Sequence, residues 1–314
     1  MIVAGVCGVF GIIGCFEKAS KWEGAIMERR TFIKTGVAVG VVSTLASKVV
    51  AGANGGKRPN LVIVFPDQMH NYAMGFLKKE PVYTPNLDRF ASESLVLTEA
   101  VSNYPVCGPF RALFMTGMSP HKNTVLANPV APDKKSSCEL PQDARCWSDV
   151  LKSKDYSLGY IGKFHLDLAH EPYIKCANNQ GPRKWNEWCP PERRHGFDYW
   201  HAYGTYDAHM NPMYWTTDAK RDEFFFAHEY GSKHEADVAV EYLRNTGGKY
   251  RDSSKPFAMV VSMNPPHTPY NQFPKKYKEP YKDIPLEKFL NRPDIPPADT
   301  KMGKLYRNNC PVLI

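Results

Sequence analysis

Apolar residues come in separated runs along this chain, and the stretches between them carry helical or irregular patterns. Leu61-Val62-Ile63-Val64-Phe65 is a continuous apolar run, as expected of a strand buried on both faces. Glu93 to Val101 is a second, mixed run. Tyr156 to Ile161 is a third, preceded by a helical pattern over Trp147 to Lys152. From Glu235 to Arg244 the apolar positions recur at helical spacing, and Phe257 to Met263 follows as another buried strand. This rhythm predicts an α/β fold, a mainly parallel sheet with helices on both faces. Ligands of such sheets gather beyond the carboxyl ends of the strands. The unusual polar residues stand there: Asp67-Gln68 after the first run, Cys107 after the second, Lys163 and His165 after the third, His267 after the last.

Residues 172–213 differ in kind, being rich in Trp, Tyr, His, Asn, Pro and Arg with little periodicity. Trp185, Trp188, Arg193, Arg194, Trp200, Tyr203 and Tyr206 suit a surface for anionic carbohydrate. They suit equally a long loop packed over the sheet.

The N-terminal region reads as an address. Arg29-Arg30-Thr31-Phe32-Ile33-Lys34 precedes a mildly apolar run and small residues at Ala51 and Ala53, the order expected of a twin-arginine export signal over 27–53. The apolar stretch Ile2 to Phe16 is shorter than the roughly 17–25 residues of a membrane span. It fits a start-site misassignment, with translation beginning at Met27. The expected division is an export region, 1–53, and a folded domain, 54–314, in a periplasmic or secreted protein.

Composition narrows this little. Hydrophobic residues make up 43% and charged residues 23%, an ordinary globular balance. The formal charge is +8; without residues 1–53 it falls to +5, which gives no reason to expect nucleic acid and weakly suits an anionic substrate. Eight cysteines do not make a disulfide scaffold, although Cys138 with Cys146 and Cys176 with Cys189 are conceivable pairs in an oxidising compartment.

The densest motif is Val106-Cys107-Gly108-Pro109-Phe110-Arg111, continuing to Thr116-Gly117. This C-x-P-x-R…T-G stretch resembles the signature of type I, formylglycine-dependent sulfatases of the alkaline phosphatase superfamily. Thr84-Pro85-Asn86-Leu87-Asp88-Arg89-Phe90-Ala91 and Gly162-Lys163-Phe164-His165-Leu166 are similar to further segments of that family, with Phe164 where the family has Trp. His195-Gly196-Phe197-Asp198 and Pro266-His267-Thr268-Pro269 match as well, in order. The resemblance spans roughly Pro59 to Pro297, to bacterial iduronate-2-sulfatase-like and arylsulfatase enzymes. It implies an alkaline-phosphatase-like fold, represented by its N-terminal part, and hydrolysis of sulfate esters on sulfated carbohydrate.

A sulfate monoester repels nucleophiles and has a poor leaving group, so its catalyst must neutralise oxygens, present an activated nucleophile and protonate the leaving oxygen. Asp67 and Gln68 offer hard oxygens suited to Ca²⁺ or Mg²⁺. The resemblance makes the ion calcium, held also by the converted Cys107. It further implies that a dedicated formylglycine-generating enzyme oxidises Cys107. One hydroxyl of the hydrated aldehyde then attacks sulfur, and the other lets the sulfated adduct collapse. Arg111, four residues on along a helix, orients that group. Lys163 binds sulfate oxygens, His165 is the base for collapse and His267 the acid for the leaving group. Lys163 and His165, two apart on an extended segment, face one pocket.

The family's second metal segment, an apolar strand ending in Asp-Asn or Asp-His, does not occur in this sequence, so the pattern predicts a C-terminally truncated chain. Two other readings compete: an inactive sulfatase-like fragment, and a phosphodiester or phosphonate monoester hydrolase of the same superfamily. The implied partners are the sulfated glycan, the formylglycine-generating enzyme and the twin-arginine translocase.

Overall fold

A computed structural model describes residues 58–132, 138–290, 295–304 and 307, and the backbone of 2–3 and 11–13. Residues 1–14 and 61–314 form one unit and 15–60 another. The export signal expected over 27–53 lies outside the described residues.

The strands, in chain order, are β1 (Ile2–Val3), β2 (Gly11–Ile13), β3 (Leu61–Pro66), β4 (Leu95–Leu97), β5 (Ser157–Lys163), β6 (Tyr199–Tyr203), β7 (Met213–Thr216), β8 (Phe225–Phe226) and β9 (Phe257–Met263). They form one sheet in the order β4-β2-β1-β3-β9-β5-β6-β7-β8. Its centre is parallel: β3 pairs with β9 from Leu61↔Ala258 to Pro66↔Met263, β9 with β5, and β5 with β6. Antiparallel strands complete both margins. Two segments of the stretch set aside as upstream of the signal thus stand in the sheet, with Ile2 opposite Ile63.

The helices are α1 (Pro85–Ser92), α2 (Cys107–Thr116), α3 (Pro120–Asn123), α4 (Trp147–Ser153), α5 (Gly231–Arg244) and α6 (Leu286–Leu290). On one face of the sheet, Phe110, Ala112 and Met115 of α2, with Trp147 and Leu151 of α4, pack against Phe65, Leu158, Tyr160, Trp200 and Val260. On the other, α5 buries Glu235, Ala239 and Tyr242, spaced by four and three. Ala239 and Tyr242 meet Ile161, Met259 and Val261 there. The central strands read as unbroken apolar runs because both faces are covered, each fully buried Leu, Val or Phe contributing roughly 1.5–3 kcal/mol. Among the described residues no helix is long and apolar enough to cross a membrane.

Three expectations need revision. The run from Glu93 to Val101 yields only the three-residue edge strand β4, where Leu95 and Leu97 are exposed. The aromatic segment 172–213 is not periodicity-free loop, since it contains β6. Trp200, Tyr203 and Tyr206 are core residues there, Trp188 donates to the Ala219 carbonyl, and the Arg194 guanidinium lies over Trp200. The packed reading holds for these side chains. Cys146, Cys176 and Cys189 are buried free thiols, so neither conceivable disulfide is formed.

Candidate active site

The parallel strands β3, β5 and β9 end side by side, and their last residues meet the N-terminus of α2. Asp67 follows β3 directly, fixed by its backbone N–H donating to the carbonyl of Met263 at 2.8 Å. Cys107 opens α2, which ends at Gly117, whose left-handed φ of 68° suits glycine. The thiol sits 3.5 Å from Asp67 Oδ1 and 4.0 Å from Lys163 Nζ.

Asp67 is completely buried. Lys163 Nζ is 2.7 Å and Arg111 NH2 3.2 Å from its Oδ2. Burial alone would raise this carboxyl, but the Lys163 and Arg111 cations outweigh it and hold the group ionised far below the usual carboxylate range. Arg111, one helical turn from Cys107, also donates from NH1 to the Lys163 carbonyl at 2.6 Å and to Ser262 Oγ at 2.5 Å, and stacks over Phe65. Its guanidinium thereby ties α2 to β3, β5 and β9 at once.

Lys163 is fully buried as the last residue of β5, with Nζ donating to Asn264 Oδ1 at 2.9 Å. The preceding Gly162 has φ 94°, and a Cβ there would lie 2.2 Å from the Ser262 carbonyl oxygen. Only glycine lets β5 and β9 approach this closely while turning Lys163 inward. The segment beyond is not extended as expected. Phe164 N–H pairs with the Tyr203 carbonyl, Phe164 joins the core, and His165 takes a left-handed φ of 50°. His165 is nonetheless buried, with neither ring nitrogen hydrogen-bonded. Burial, reinforced by Lys163 and Arg111, pushes it well below the usual imidazole range, so it is neutral near pH 7.

His267 has the opposite electrostatics. Burial works to lower it, but hydrogen bonding to Asp207 and to Cys107 raises it to about 9. Its Nδ1 lies 3.3 Å from Asp207 Oδ1, and His209 Nε2 meets its backbone carbonyl at 2.7 Å. Two imidazoles of one cluster are thus set apart, one neutral and one protonated.

All five residues expected to act on substrate, Cys107, Arg111, Lys163, His165 and His267, converge with Asp67 in one cluster. Gln68 leaves the strand with φ 64° and is half-buried. Sequence reasoning missed Asp207, Asn264 and Ser262. Asn264 follows β9 as directly as Asp67 follows β3, so the rule that singled out the others applies to it too. Asp207 lies in the segment where β6 went unseen.

The donor chemistry suits a hard divalent cation in kind, with an ionised buried carboxylate next to an amide-bearing residue. In number it falls short of the six to eight oxygens calcium takes. Among the described residues no third carboxylate, His or Cys joins Asp67 and Cys107 within ligand distance.

A sulfatase family profile matches residues 59–292. The chain belongs to the sulfatase family. It is 42% identical over 257 residues to an endo-4-O-sulfatase of Bacteroides thetaiotaomicron, covering 76% of this chain and 49% of that one. To an ulvan-active sulfatase of Formosa agariphila it is 32% identical, over 76% of this chain and 41% of the relative. The crystal structure of YidJ from Bacteroides fragilis superposes with a TM-score of 0.76 at 49% identity, covering 83% of this chain and 56% of that one. This sulfatase chain therefore spans about half the length of the curated relatives it matches. Its family generally uses formylglycine and a divalent metal, and its fold is alkaline-phosphatase-like.

Proposed function

We propose that the protein is a sulfuric ester hydrolase that removes sulfate from a sulfated carbohydrate, with Cys107 converted to formylglycine. The observation that carries this is the placement of the Cys107 thiol at the opening of a buried helix. There it lies 4.0 Å from the Lys163 ammonium, close to the Asp67 carboxylate and hydrogen-bonded to His267. Relatives named as an endo-4-O-sulfatase and an ulvan-active sulfatase favour a sulfated polysaccharide as substrate.

Each side chain has a task. Lys163 supplies a compact positive charge to the sulfate oxygens, and Asn264 aims it. Arg111 keeps the head of α2 locked to the strand ends. His267, protonated, gives its proton to the leaving sugar oxygen as the S–O bond breaks. His165, neutral, takes a proton when sulfate is released. Converted Cys107 supplies a hydrated aldehyde hydroxyl as nucleophile. Asp67, Gln68 and that group would hold a divalent ion, calcium in our reading, which would act as a Lewis acid on the sulfate. The further oxygens it needs lie beyond these three residues.

The same reading makes the protein periplasmic or secreted, delivered by the twin-arginine translocase and modified by a formylglycine-generating enzyme, on the strength of residues 27–53 and the Cys107 motif. The mass of the proteolytic peptide containing Cys107 tests the conversion, in protein made together with a formylglycine-generating enzyme. Replacement of the thiol by an aldehyde is expected. A wholly unmodified cysteine under conditions that convert another sulfatase would overturn the reading.

A further inference from the structure

Away from the cluster around Cys107, three residues of different chemistry converge at the start of α4. Cys146 Sγ, a carboxylate oxygen of Asp149 and a ring nitrogen of His195 all lie within 4.8 Å of one another. Cys146 and His195 are buried, whereas Asp149 reaches the surface. Cys146 caps α4, and Asp149, three residues on, accepts the Cys146 backbone N–H at 2.9 Å. That reciprocal cap fixes the first two groups on one helical turn. His195 comes from a distant segment and places Nδ1 3.7 Å from Asp149 Oδ2, too long for a hydrogen bond.

The surroundings point the same way. The Ala144 backbone carbonyl lies within reach of the His195 imidazole as well. The Cys146 thiol reaches that same Ala144 carbonyl at 3.7 Å. Asp149 and His195 also line a cavity of about 340 Å³ shared with Gln142, Asp143, Arg145 and Glu192. Asp143 and Glu192 add negative charge to its wall, and Arg145 opposes them.

We propose that Cys146, Asp149 and His195 form a zinc site, with thiolate, carboxylate and imidazole as three ligands and the fourth position open to that cavity. On binding, the Cys146 S–H proton leaves to solvent and the sulfur lone pair forms the bond to zinc, with no change of oxidation state. Thiolate, imidazole and carboxylate in tetrahedral array select zinc over calcium or magnesium.

Cobalt(II) is the probe, added to metal-free full-length protein carrying Cys107→Ala so that the active-site thiol cannot contribute. An equimolar thiolate-to-cobalt charge-transfer band with four-coordinate visible bands is expected, displaced by zinc. Cys146→Ser should remove the charge-transfer band while keeping α4 capped, since serine is a good N-cap. His195→Gln, which leaves the thiol in place, should abolish the four-coordinate visible spectrum. No thiolate–cobalt band in the Cys107→Ala protein, a thiolate band undiminished by Cys146→Ser, or four-coordinate visible bands undiminished by His195→Gln would overturn the proposal.

Discussion

Asp207 Oδ1 lies 3.3 Å from Nδ1 of His267 and accepts Nδ2 of Asn264 at 3.1 Å, while Asn264 in turn holds Lys163 at 2.9 Å. One carboxylate thereby links the proton donor and the sulfate-binding cation of the proposed site. Asn178 braces its other oxygen at 2.8 Å.

Because His267 must carry a proton to act as acid, the rate should hold up to about pH 9 and fall above it. Asp207→Asn removes the charge that holds that proton. The alkaline limb of the pH–rate profile should then move down by a unit or more, toward or below the ordinary imidazole value of about 6.5. With it kcat should drop roughly tenfold to a hundredfold. An unmoved alkaline limb in Asp207→Asn would show that His267 does not depend on this carboxylate.

Arg111→Lys tests the junction between α2 and the strand ends. A lysine lacks the planar fork that serves Asp67, Ser262 and the Lys163 carbonyl together. Loss of stability of about 2–4 kcal/mol in urea unfolding is expected, along with loss of activity, since breaking buried charge-assisted contacts costs this much.

Gly162→Ala places a methyl 2.2 Å from the Ser262 carbonyl oxygen at a left-handed φ. The two strands have to separate, Lys163 and Asn264 with them. The variant should melt at least 5 °C lower, a shift of about 2 kcal/mol or more for a domain of this size, and should lose most of its activity. Near-native melting would mean that the strand ends are looser than their spacing indicates.

Glu235 is wholly buried on the face of β5 opposite α2, its Oε1 accepting from Tyr203 and Tyr214 and its Oε2 unpartnered. Burial raises it to about 8 against the pull of the two tyrosines. Its proton is bound more tightly in the folded state, so its contribution to stability is full below the unfolded value of about 4.3 and is lost as pH rises through about 8. Glu235→Gln should flatten the stability profile between those limits and exceed the wild type above pH 8 by the order of a few kcal/mol. Chemical denaturation at pH 5 and pH 9 measures both.

Much of the sheet could be read from the chain because β3, β5 and β9 are apolar on both faces and carry their polar residues just past their ends. Asp67, Lys163, His165 and His267 stand out for that reason, and Cys107 for the motif that opens α2. β6 was hidden because Tyr199-Trp200-His201-Ala202-Tyr203 mixes aromatic and polar residues, with His201 buried among rings and Trp200 in the core. Missing β6 meant missing Asp207, four residues beyond its end. β4 was overread, since an edge strand needs no long apolar run and only three residues pair. The left-handed turn at His165 has only a weak signature in residue type, since histidine is enriched at positive φ but adopts it at few positions.

The claim that Cys107 serves sulfate ester hydrolysis is tested most directly by sulfate release from a sulfated polysaccharide. Protein with converted Cys107 should be compared with Cys107→Ala, with calcium supplied. The account predicts free sulfate from the first and none above background from the second. Equal release by Cys107→Ala, or preferential cleavage of a phosphonate monoester by the converted protein, would contradict it.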